Sequence, residues 1–316
     1  MAAKNNNQPL FSVVIPVYNS SYFLKELYSR LDKNFENLNA SWNLILVNDC
    51  SKDNSWEVMK ELAKTEKKVT IINLRNNFGQ HNAIMAGLKF ADGKYVMTMD
   101  DDLQHPPEEA RKLIDTINKS DYEVVYGHYR SKRHGWFRDI CSDLVNRILS
   151  RITGSGYKVT SFRIMDLDVA KEITKFTYHN VMIDVLIKEI VPGNKVGHCL
   201  VEHHPRKKGK SNYSFRKLFS FAINMIFNYT LWPLRIASIL GFIFSLISIL
   251  LGFGYFIYYL FFGINVGGWT SLFLAITFFS GILLFVLGVI GEYLGRIFLN
   301  VNQKPQYLIK EVIGKE

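Results

Sequence analysis

The most constraining feature of this 316-residue sequence is a long stretch near its C-terminus that contains no charged side chain. From Ile236 to Gly291 there is no Lys, Arg, Asp, Glu or His, whereas the preceding sequence is rich in charge. A helix needs about 20 consecutive apolar residues to cross a bilayer. Two segments exceed that length, Ile236–Phe262 and Thr270–Gly291, on either side of a glycine-rich break. The sequence therefore predicts a soluble domain followed by a two-helix transmembrane hairpin.

Basic residues flank both predicted spans. Arg235 precedes the first span, Arg296, Lys304 and Lys310 follow the second, and the connecting loop carries no charge. The positive-inside rule then places both flanks in the cytoplasm. The N-terminus, Met1–Pro9, has no apolar signal-peptide core. The 3 cysteines include no CxxC pair, which favours reduced thiols over a disulfide framework or a zinc site. We therefore expect the soluble domain and both termini in the cytoplasm.

The formal net charge of +10 raises the possibility of nucleic-acid binding. Basic clusters beside a membrane span are attracted to anionic lipid headgroups by about 1 kcal/mol per charge. We therefore expect membrane lipids, and no nucleic acid, as partners. Much of the basic excess lies just before the first span, at Arg206, Lys207, Lys208, Lys210, Arg216, Lys217 and Arg235.

The segment Ser214–Leu231 mixes basic residues with Phe, Ile, Met and Leu. This pattern is typical of an amphipathic helix lying at the membrane interface, although an ordinary core helix fits it too. Glycines in the two spans allow close helix packing, so we expect a homo-oligomer. The predicted organisation is a soluble cytoplasmic domain over 1–210, a juxtamembrane helix over 211–234, the hairpin over 235–298 and a cytoplasmic tail over 299–316.

Short apolar runs alternate with helical patterns through the first half of the chain. The runs are apolar on both faces, as in strands buried between two layers of helices. This alternation predicts a Rossmann-like α/β domain with a mostly parallel sheet, in which ligands bind at the carboxyl ends of the strands. The predicted strands are Ser12–Pro16, Leu44–Val47, Val69–Asn73, Tyr95–Met99 and Glu123–Tyr126, and the predicted helices are Tyr22–Leu38, Asn54–Glu66, Gln80–Ala91 and Pro107–Asn118.

Three consecutive acids, Asp100, Asp101 and Asp102, directly follow the fourth predicted strand. Their charges repel one another unless a cation compensates them, and carboxylate oxygens suit Mg²⁺ or Mn²⁺. In an extended segment Asp100 and Asp102 point the same way, and Gln104 continues that row. The alternative is a solvated acidic loop that caps the next helix.

Polar loops also follow the second and third predicted strands. After the second strand, Asp49 is placed to accept hydrogen bonds from the edge of a nucleobase, and Asp53 to cap the next helix. The loop Asn73–His81 follows the third strand and opens a helix, whose N-terminus attracts anions. This loop either faces a phosphorylated donor or is a plain turn.

Four motifs in this order, together with matches further along the chain, resemble family 2 glycosyltransferases of the GT-A fold. Within that family the chain is similar to the polyprenyl-phosphate glycosyltransferases, which include undecaprenyl-phosphate aminoarabinose and glucose transferases and dolichyl-phosphate mannose synthases. The resemblance covers nearly the whole chain. It rests on Ser12–Asn19 (SVVIPVYN), Val47–Ser55 (VNDCSKDNS), Arg75–Gly87 (RNNFGQHNAIMAG), Met99–Glu108 (MDDDLQHPPE), Phe162-Arg163, Arg206–Leu218 (RKKGKSNYSFRKL), Trp232–Arg235 and Gly291–Tyr307.

The resemblance implies a site for a nucleotide-sugar, with uridine as the expected nucleoside. It assigns the nucleotide to Pro16, Tyr18, Asp49, Asp100 and Asp101. It assigns the metal, Mg²⁺ or Mn²⁺, to Asp100, Asp102 and Gln104. The metal would in turn bind the diphosphate.

The resemblance also implies an acceptor site for a lipid phosphate. Arg130 and Arg163 would face phosphate groups, as would Arg206 and Lys210 in the basic stretch. Ser211 and Tyr213 match a Gly-x-Ser-x-Tyr motif of the family. Solvated or lipid-facing charges are the alternative for Arg130, Arg206 and Lys210. The expected catalytic residues are Asp102, Arg163 and Asp166.

One position departs from the family pattern. Relatives often carry an acid immediately before the Phe-Arg pair, as a candidate general base, and here that residue is Ser161. Asp166 is close enough in sequence to be an alternative base. A phosphate monoester with a second pKa of about 6 is mostly dianionic at neutral pH. We therefore expect the phosphate to attack without the help of a dedicated base.

The resemblance implies an inverting, metal-dependent transfer from a UDP-sugar to undecaprenyl phosphate at the cytoplasmic face of a bacterial inner membrane. It leaves the sugar open between an aminoarabinose-type pentose and glucose. A catalytically inactive membrane scaffold is an alternative of another class. A polysaccharide synthase is a weaker one, because the chain has no Gln-x-x-Arg-Trp motif.

Overall fold

The computed structural model describes residues 8–129, 160–177, 181–204, 232–262, 268–301 and 305–314. The chain divides into two compact units, Met1–Ser211 together with Pro305–Glu316, and Asn212–Lys304. The second unit thus lies, in sequence, between two parts of the first. The following predictions fall outside the described residues: Arg130, Arg206, Lys210, Ser211, Tyr213 and the interfacial helix Ser214–Leu231.

The first unit contains an eight-stranded sheet. The sheet is mostly parallel, as predicted. The strands are β1 Phe11–Val17, β2 Trp42–Asn48, β3 Val69–Leu74, β4 Tyr95–Thr98, β5 Val124–His128, β6 Arg163–Asp166, β7 Val196–Leu200 and β8 Ile309–Ile313. All five predicted strands are confirmed. The strand order is β7-β5-β6-β4-β1-β2-β3-β8. Strands β1 to β4 run parallel to their neighbours within this group, as do β5 and β7, whereas β6 and β8 are antiparallel.

The four predicted helices of the first half are also confirmed, with ends that shift by a few residues. The last of them starts as a 3₁₀ turn, Pro107–Glu109, whose proline lies in the first turn, where its missing N–H costs no helix hydrogen bond. The helices of the first unit are α1 Leu24–Asn37, α2 Ser55–Thr65, α3 Gln80–Leu88, α4 Ala110–Lys119, α5 Leu167–Ile173 and α6 Ile183–Ile190.

Two hydrophobic cores lie on opposite faces of the sheet. Alternate residues of β1 separate between them: Val13 and Ile15 join the core covered by α1, α2 and α4, and Val14 joins the core covered by α3, α5 and α6. Every residue of β1 is buried. This two-sided burial explains why the central strands are apolar throughout rather than alternating.

The C-terminal tail forms an edge strand that sequence reasoning missed. Ile309–Ile313 pairs antiparallel with β3, and the backbone N–H of Arg75 donates to the carbonyl of Leu308. The strand is short and carries two exposed charged residues, Lys310 and Glu311. Its partner lies far away in sequence, so no local pattern indicates the pairing.

The described part of the second unit consists of two long helices, α7 Trp232–Phe262 and α8 Trp269–Val301. Within α8 the stretch Phe278–Gly295 is long and apolar enough to cross a membrane, with a mean hydropathy of 1.9. In α7 the stretch Trp232–Phe244 is apolar as well. Large apolar side chains of both helices are exposed. Among the residues that the structure describes, one helix is thus long and apolar enough to span a membrane, and the two-span topology stays a prediction.

Gly93, in the turn before β4, is needed for close packing against β1. A Cβ added there would lie 2.5 Å from the backbone nitrogen of Ser12 and 2.7 Å from the carbonyl carbon of Phe11. Because backbone atoms cannot rotate away, we expect Gly93→Ala to destabilise the protein by about 1–3 kcal/mol. Thermal unfolding would measure this effect. Gly193→Ala is the matched control, since nothing lies within 4 Å of an added Cβ there, and equal thermal midpoints for the two variants would contradict the packing argument.

Candidate active site

Polar loops converge where the carboxyl ends of the central strands meet. In the register of the sheet Val17 pairs with Asn48, and Asn48 pairs with Asn73, so β1, β2 and β3 end side by side. On the other side of β1, Val14 pairs with Thr98 near the end of β4. The loops that follow these strands contain the predicted nucleotide and metal residues. The expectation that these loops share one edge of the sheet is confirmed.

Backbone strain concentrates at this edge. Of the four non-glycine residues with positive φ in the described part of the chain, three lie here. They are Asn19 after β1, Cys50 after β2 and Leu103 after β4, with φ of 55°, 58° and 58°. The left-handed region is uncommon for residues with a Cβ and recurs where function requires a particular loop shape.

Side-chain hydrogen bonds join the loops after β1 and β2. The backbone N–H of Ser21 donates to Asp53 Oδ2 at 3.1 Å, and that of Asn19 donates to Ser51 Oγ at 3.1 Å. Asp53 Oδ1 accepts from the N–H of Ser55, the first residue of α2. Asp53 therefore does stabilise the start of this helix, as predicted, although Asn54 occupies the N-cap position. Partial burial raises the pKa of Asp53, but hydrogen bonds from Ser55 and Ser21 outweigh it and lower that pKa.

Asp49 fixes the loop after β3. Its side chain is 4% exposed, and its two oxygens accept the backbone N–H groups of Phe78 at 2.7 Å and Gly79 at 2.9 Å. Burial raises the pKa of Asp49, and the two hydrogen bonds partly oppose that rise. Pro16 is buried within β1, whereas Tyr18 is 40% exposed beside the same edge. The loop thus held leads directly into the N-terminus of α3.

The three acids after β4 lie in a tight turn, so the predicted extended row of Asp100, Asp102 and Gln104 is wrong. Leu103 adopts positive φ, and Asp102 Oδ1 accepts the backbone N–H of Gln104 at 3.1 Å. An aspartate that bonds the N–H two residues ahead makes a turn of its own. The middle acid, Asp101, points away and accepts the N–H of Tyr18 at 3.0 Å.

Asp100, the first acid of the loop, is held from two sides. Its Oδ1 accepts from Gln80 Nε2 at 2.6 Å, and its Oδ2 accepts from Ser161 Oγ at 2.6 Å. Burial raises the pKa of Asp100; the hydrogen bond from Ser161 lowers it, and the charge of Asp102 raises it. Asp102 lies in the same turn, two residues further on, and a cation bound by both carboxylates would relieve their repulsion.

Arg163, predicted to face a phosphate, is instead buried beneath this loop. It is 1% exposed, and its guanidinium forms an ion pair with Asp184 of α6, which is 8% exposed. Its Nε also donates to Thr98 Oγ1 at 3.1 Å. Tyr126 donates its hydroxyl to Asp184 Oδ1 at 3.2 Å. In this structure Arg163 therefore contacts Thr98 and Asp184 in the interior of the domain.

Sequence reasoning missed Asp184, Gln80 and Tyr126. Asp184 was visible as one acid within the apolar run Val181–Ile187, and an acid in such a place requires a partner. Nothing in the sequence indicates that its partner is Arg163, since the pair joins a strand to a separate helix.

Asp166 lies at the wrong end of the sheet to act as a base. In the antiparallel register of β6 and β4 it pairs with Tyr95, the first residue of β4, whereas Asp100 follows the end of that strand. Five residues of extended chain correspond to about 16 Å. The expectation that Asp166 supplies a base is therefore contradicted by the direction of β6.

Because the Arg163–Asp184 pair is buried, removing one member leaves an uncompensated charge. We expect Asp184→Ala to lower the free energy of unfolding by about 3–5 kcal/mol. The double variant Arg163→Met with Asp184→Leu should lose less, because it removes both charges and retains apolar volume. Chemical unfolding of the full chain in detergent micelles would measure both. A single variant as stable as the wild type would contradict the buried pair.

Comparison with known proteins agrees with this arrangement. The family model described as Glycosyl transferase family 2 matches residues 12–173. The undecaprenyl-phosphate 4-deoxy-4-formamido-L-arabinose transferase of Proteus mirabilis is 34% identical over 312 residues, covering 96% of this chain and 94% of the relative. An uncharacterized glycosyltransferase of Synechocystis is 32% identical over 308 residues, covering 96% of each chain.

Solved structures share the fold at lower sequence identity. Glucosyl-3-phosphoglycerate synthase from Mycobacterium tuberculosis, in complex with Mn²⁺ and UDP-glucose, superposes with a TM-score of 0.53 and 15% identity. The match covers 69% of this chain and 77% of that one. It supports the GT-A-like α/β fold. The family match over half of the sequence and the two relatives over nearly all of it show that this chain belongs to glycosyl transferase family 2.

Proposed function

We propose that this glycosyltransferase moves a sugar from a UDP-sugar to a polyprenyl phosphate, with undecaprenyl phosphate as the bacterial acceptor. The observation that carries the proposal is the fixed carboxylate of Asp100, two residues before Asp102, at the edge where the strand loops converge. The name of the Proteus relative supports the acceptor. An apolar helix of spanning length in the same chain fits an enzyme that acts on a lipid.

The nucleoside would bind at the ends of β1 and β2. Tyr18 is exposed there, next to Pro16 and the loop that Asp49 holds in place. The N-terminus of α3 follows this loop and would favour the negative charge of a diphosphate. Solved structures that share the fold contain UDP or UDP-glucose, which supports uridine as the nucleoside.

The acidic loop fits a divalent cation. Among the residues that the structure describes, no three His, Cys, Asp or Glu side chains are grouped to enclose a metal ion. Mg²⁺ and Mn²⁺ do not require such an enclosure, because they are commonly held by one or two carboxylates together with substrate phosphates. Asp100 and Asp102 would be those carboxylates, with Gln104 close by in the turn. When bound, the cation would stabilise the charge on the departing diphosphate.

The acceptor phosphate would attack without a dedicated base. A phosphate oxygen forms a bond to the anomeric carbon of the sugar while the bond from that carbon to the diphosphate oxygen breaks, so UDP leaves and the configuration inverts. A phosphate monoester with a second pKa of about 6 already carries the charge it needs at neutral pH. Ser161 is not basic, and Asp166 lies at the opposite end of β4.

The phosphate of the acceptor lipid would bind to five polar side chains, those of Arg130, Arg206, Lys210, Ser211 and Tyr213. A two-span hairpin and an interfacial helix would anchor the enzyme in the inner membrane, with the catalytic domain and both termini in the cytoplasm. Glycines of the spans would permit a homo-oligomer. The sugar would be an aminoarabinose-type pentose or glucose.

Asp102→Asn tests the assignment of the acidic loop. The amide oxygen of asparagine can still accept the N–H of Gln104, so the turn should persist while the charge that binds the cation is lost. We expect transfer to fall by at least about 100-fold with an unchanged unfolding temperature. Asp168→Asn, an exposed acid in the first turn of α5, is the control. Near-normal transfer by the Asp102 variant would remove that residue from the metal site.

A transfer assay tests the whole proposal. Purified protein would be incubated with undecaprenyl phosphate and a panel of UDP-sugars, with and without divalent metal, and lipid-linked product would be measured. We expect product from one donor and its loss on addition of a chelator. Binding of UDP without product from any donor, including UDP-aminoarabinose derivatives and UDP-glucose, would favour a catalytically inactive membrane scaffold.

A further inference from the structure

Asp100 is held by two neutral hydrogen-bond donors from different elements. Gln80 is the first residue of α3, and Ser161 immediately precedes Phe162 and β6. Each donates to a different oxygen of the carboxylate at 2.6 Å. An ionised carboxylate offers about four lone-pair positions. Two hydrogen bonds therefore fix its direction and leave two positions for another ligand.

Buried contacts hold Ser161 in place. Its carbonyl accepts from Thr98 Oγ1 at 2.6 Å, and Thr98 Oγ1 in turn accepts from Arg163 Nε at 3.1 Å. Thr98 is completely buried, and Arg163 is compensated by Asp184. A chain of contacts thus runs from α6 through β6 and β4 to the position from which Ser161 donates.

Gln80 is held from the opposite side. It follows Gly79, whose N–H is bonded by Asp49, and the N–H of Ala83 donates to the carbonyl of Gly79 to begin α3. Gln80 therefore starts from a fixed backbone, as Ser161 does. The backbones that carry both donors of Asp100 are thus anchored in the folded domain, while Gln80 itself is exposed.

The neutrality of these donors has a chemical consequence. A lysine or arginine in either place would hold Asp100 equally well but would compensate its charge and compete with a cation. An amide and a hydroxyl orient the carboxylate and leave its charge available. This is the role of the outer hydrogen-bonding groups around metal ligands in many proteins.

We propose that Gln80 and Ser161 are an orienting pair that sets the carboxylate of Asp100 for a divalent cation. The inference rests on the proposed metal-dependent function. Both are positioning residues, since each would act on the cation through Asp100. Ser161 would thus orient Asp100 from the position at which relatives often carry an acid.

The pair should affect binding of the metal more than turnover. Loss of an outer-shell partner typically costs about 10–100-fold in metal affinity. We expect Ser161→Ala and Gln80→Leu each to weaken Mn²⁺ binding by about 10-fold or more, with kcat largely restored at saturating Mn²⁺. Ser161→Thr retains the hydroxyl and should restore affinity to within a few-fold of the wild type.

Titration of free Mn²⁺ by electron paramagnetic resonance, on the full chain in detergent with saturating UDP, measures this directly. Thr174→Ala is the matched control, because it removes a hydroxyl that bonds within its own turn at the end of α5. Unchanged Mn²⁺ affinity in both Ser161→Ala and Gln80→Leu would overturn the orienting pair. Equal losses in Ser161→Ala and Ser161→Thr would also overturn the role of the hydroxyl.

The same titration separates this inference from the proposed function. If the wild type and Thr174→Ala bind no Mn²⁺ in the presence of UDP, the metal-dependent function fails and the inference fails with it. If the wild type binds Mn²⁺ and forms product, but the variants bind equally well, the function stands and the orienting pair alone is wrong.

Discussion

The structure depends first on the burial of a parallel set of strands on both faces. Residues of β1 to β4 pack into two separate cores, so the strands themselves have almost no room for polar chemistry. Polar side chains collect instead in the loops beyond the carboxyl ends, where helix N-termini also point. Asp49, Asp53 and Asp100 all lie there, and each accepts hydrogen bonds from a neighbouring loop or element. Hydrogen bonds between the loops thus determine the shape of the candidate site.

The antiparallel strand β6 brings a charge into the interior. Arg163 is 1% exposed, and a buried ion pair of this kind is weak evidence for added stability because desolvation offsets its attraction. Its geometric effect is clearer. Through Thr98 the guanidinium joins the strand that carries the acidic loop to the segment that carries Ser161. The buried Arg163–Asp184 pair is costly to desolvate, but its contacts through Thr98 and Ser161 help to fix the position of Asp100.

The order of the units along the chain has a structural consequence as well. The second unit is followed by β8, which completes the sheet of the first by pairing with β3. The chain is thus connected to the catalytic sheet on both sides of its apolar helices. The same tail contacts the loop after β3, since Leu308 accepts from the N–H of Arg75 at 2.8 Å.

Local sequence determined the elements of the fold and the general nature of the site. Continuous apolar runs indicated β1 to β5, helical periodicity indicated α1 to α4, and the charge-free stretch indicated the apolar helices. The acids after β4 marked the site because like charges at the end of a strand require compensation. The family resemblance was carried by short motifs in sequence order, and the relatives confirm it.

Tertiary structure alone decided which side chains meet. The sequence places Asp166 near Arg163, but the antiparallel direction of β6 puts it at the other end of β4. Conversely, Gln80 and Ser161 are far apart in sequence and meet at Asp100. The direction of a strand depends on its pairing with a distant segment, and both directions show the same periodicity along the chain, so the local pattern does not reveal it. The acidic loop shows the same limit, because the backbone turn at Leu103, rather than the spacing of the acids, determines where each carboxylate points.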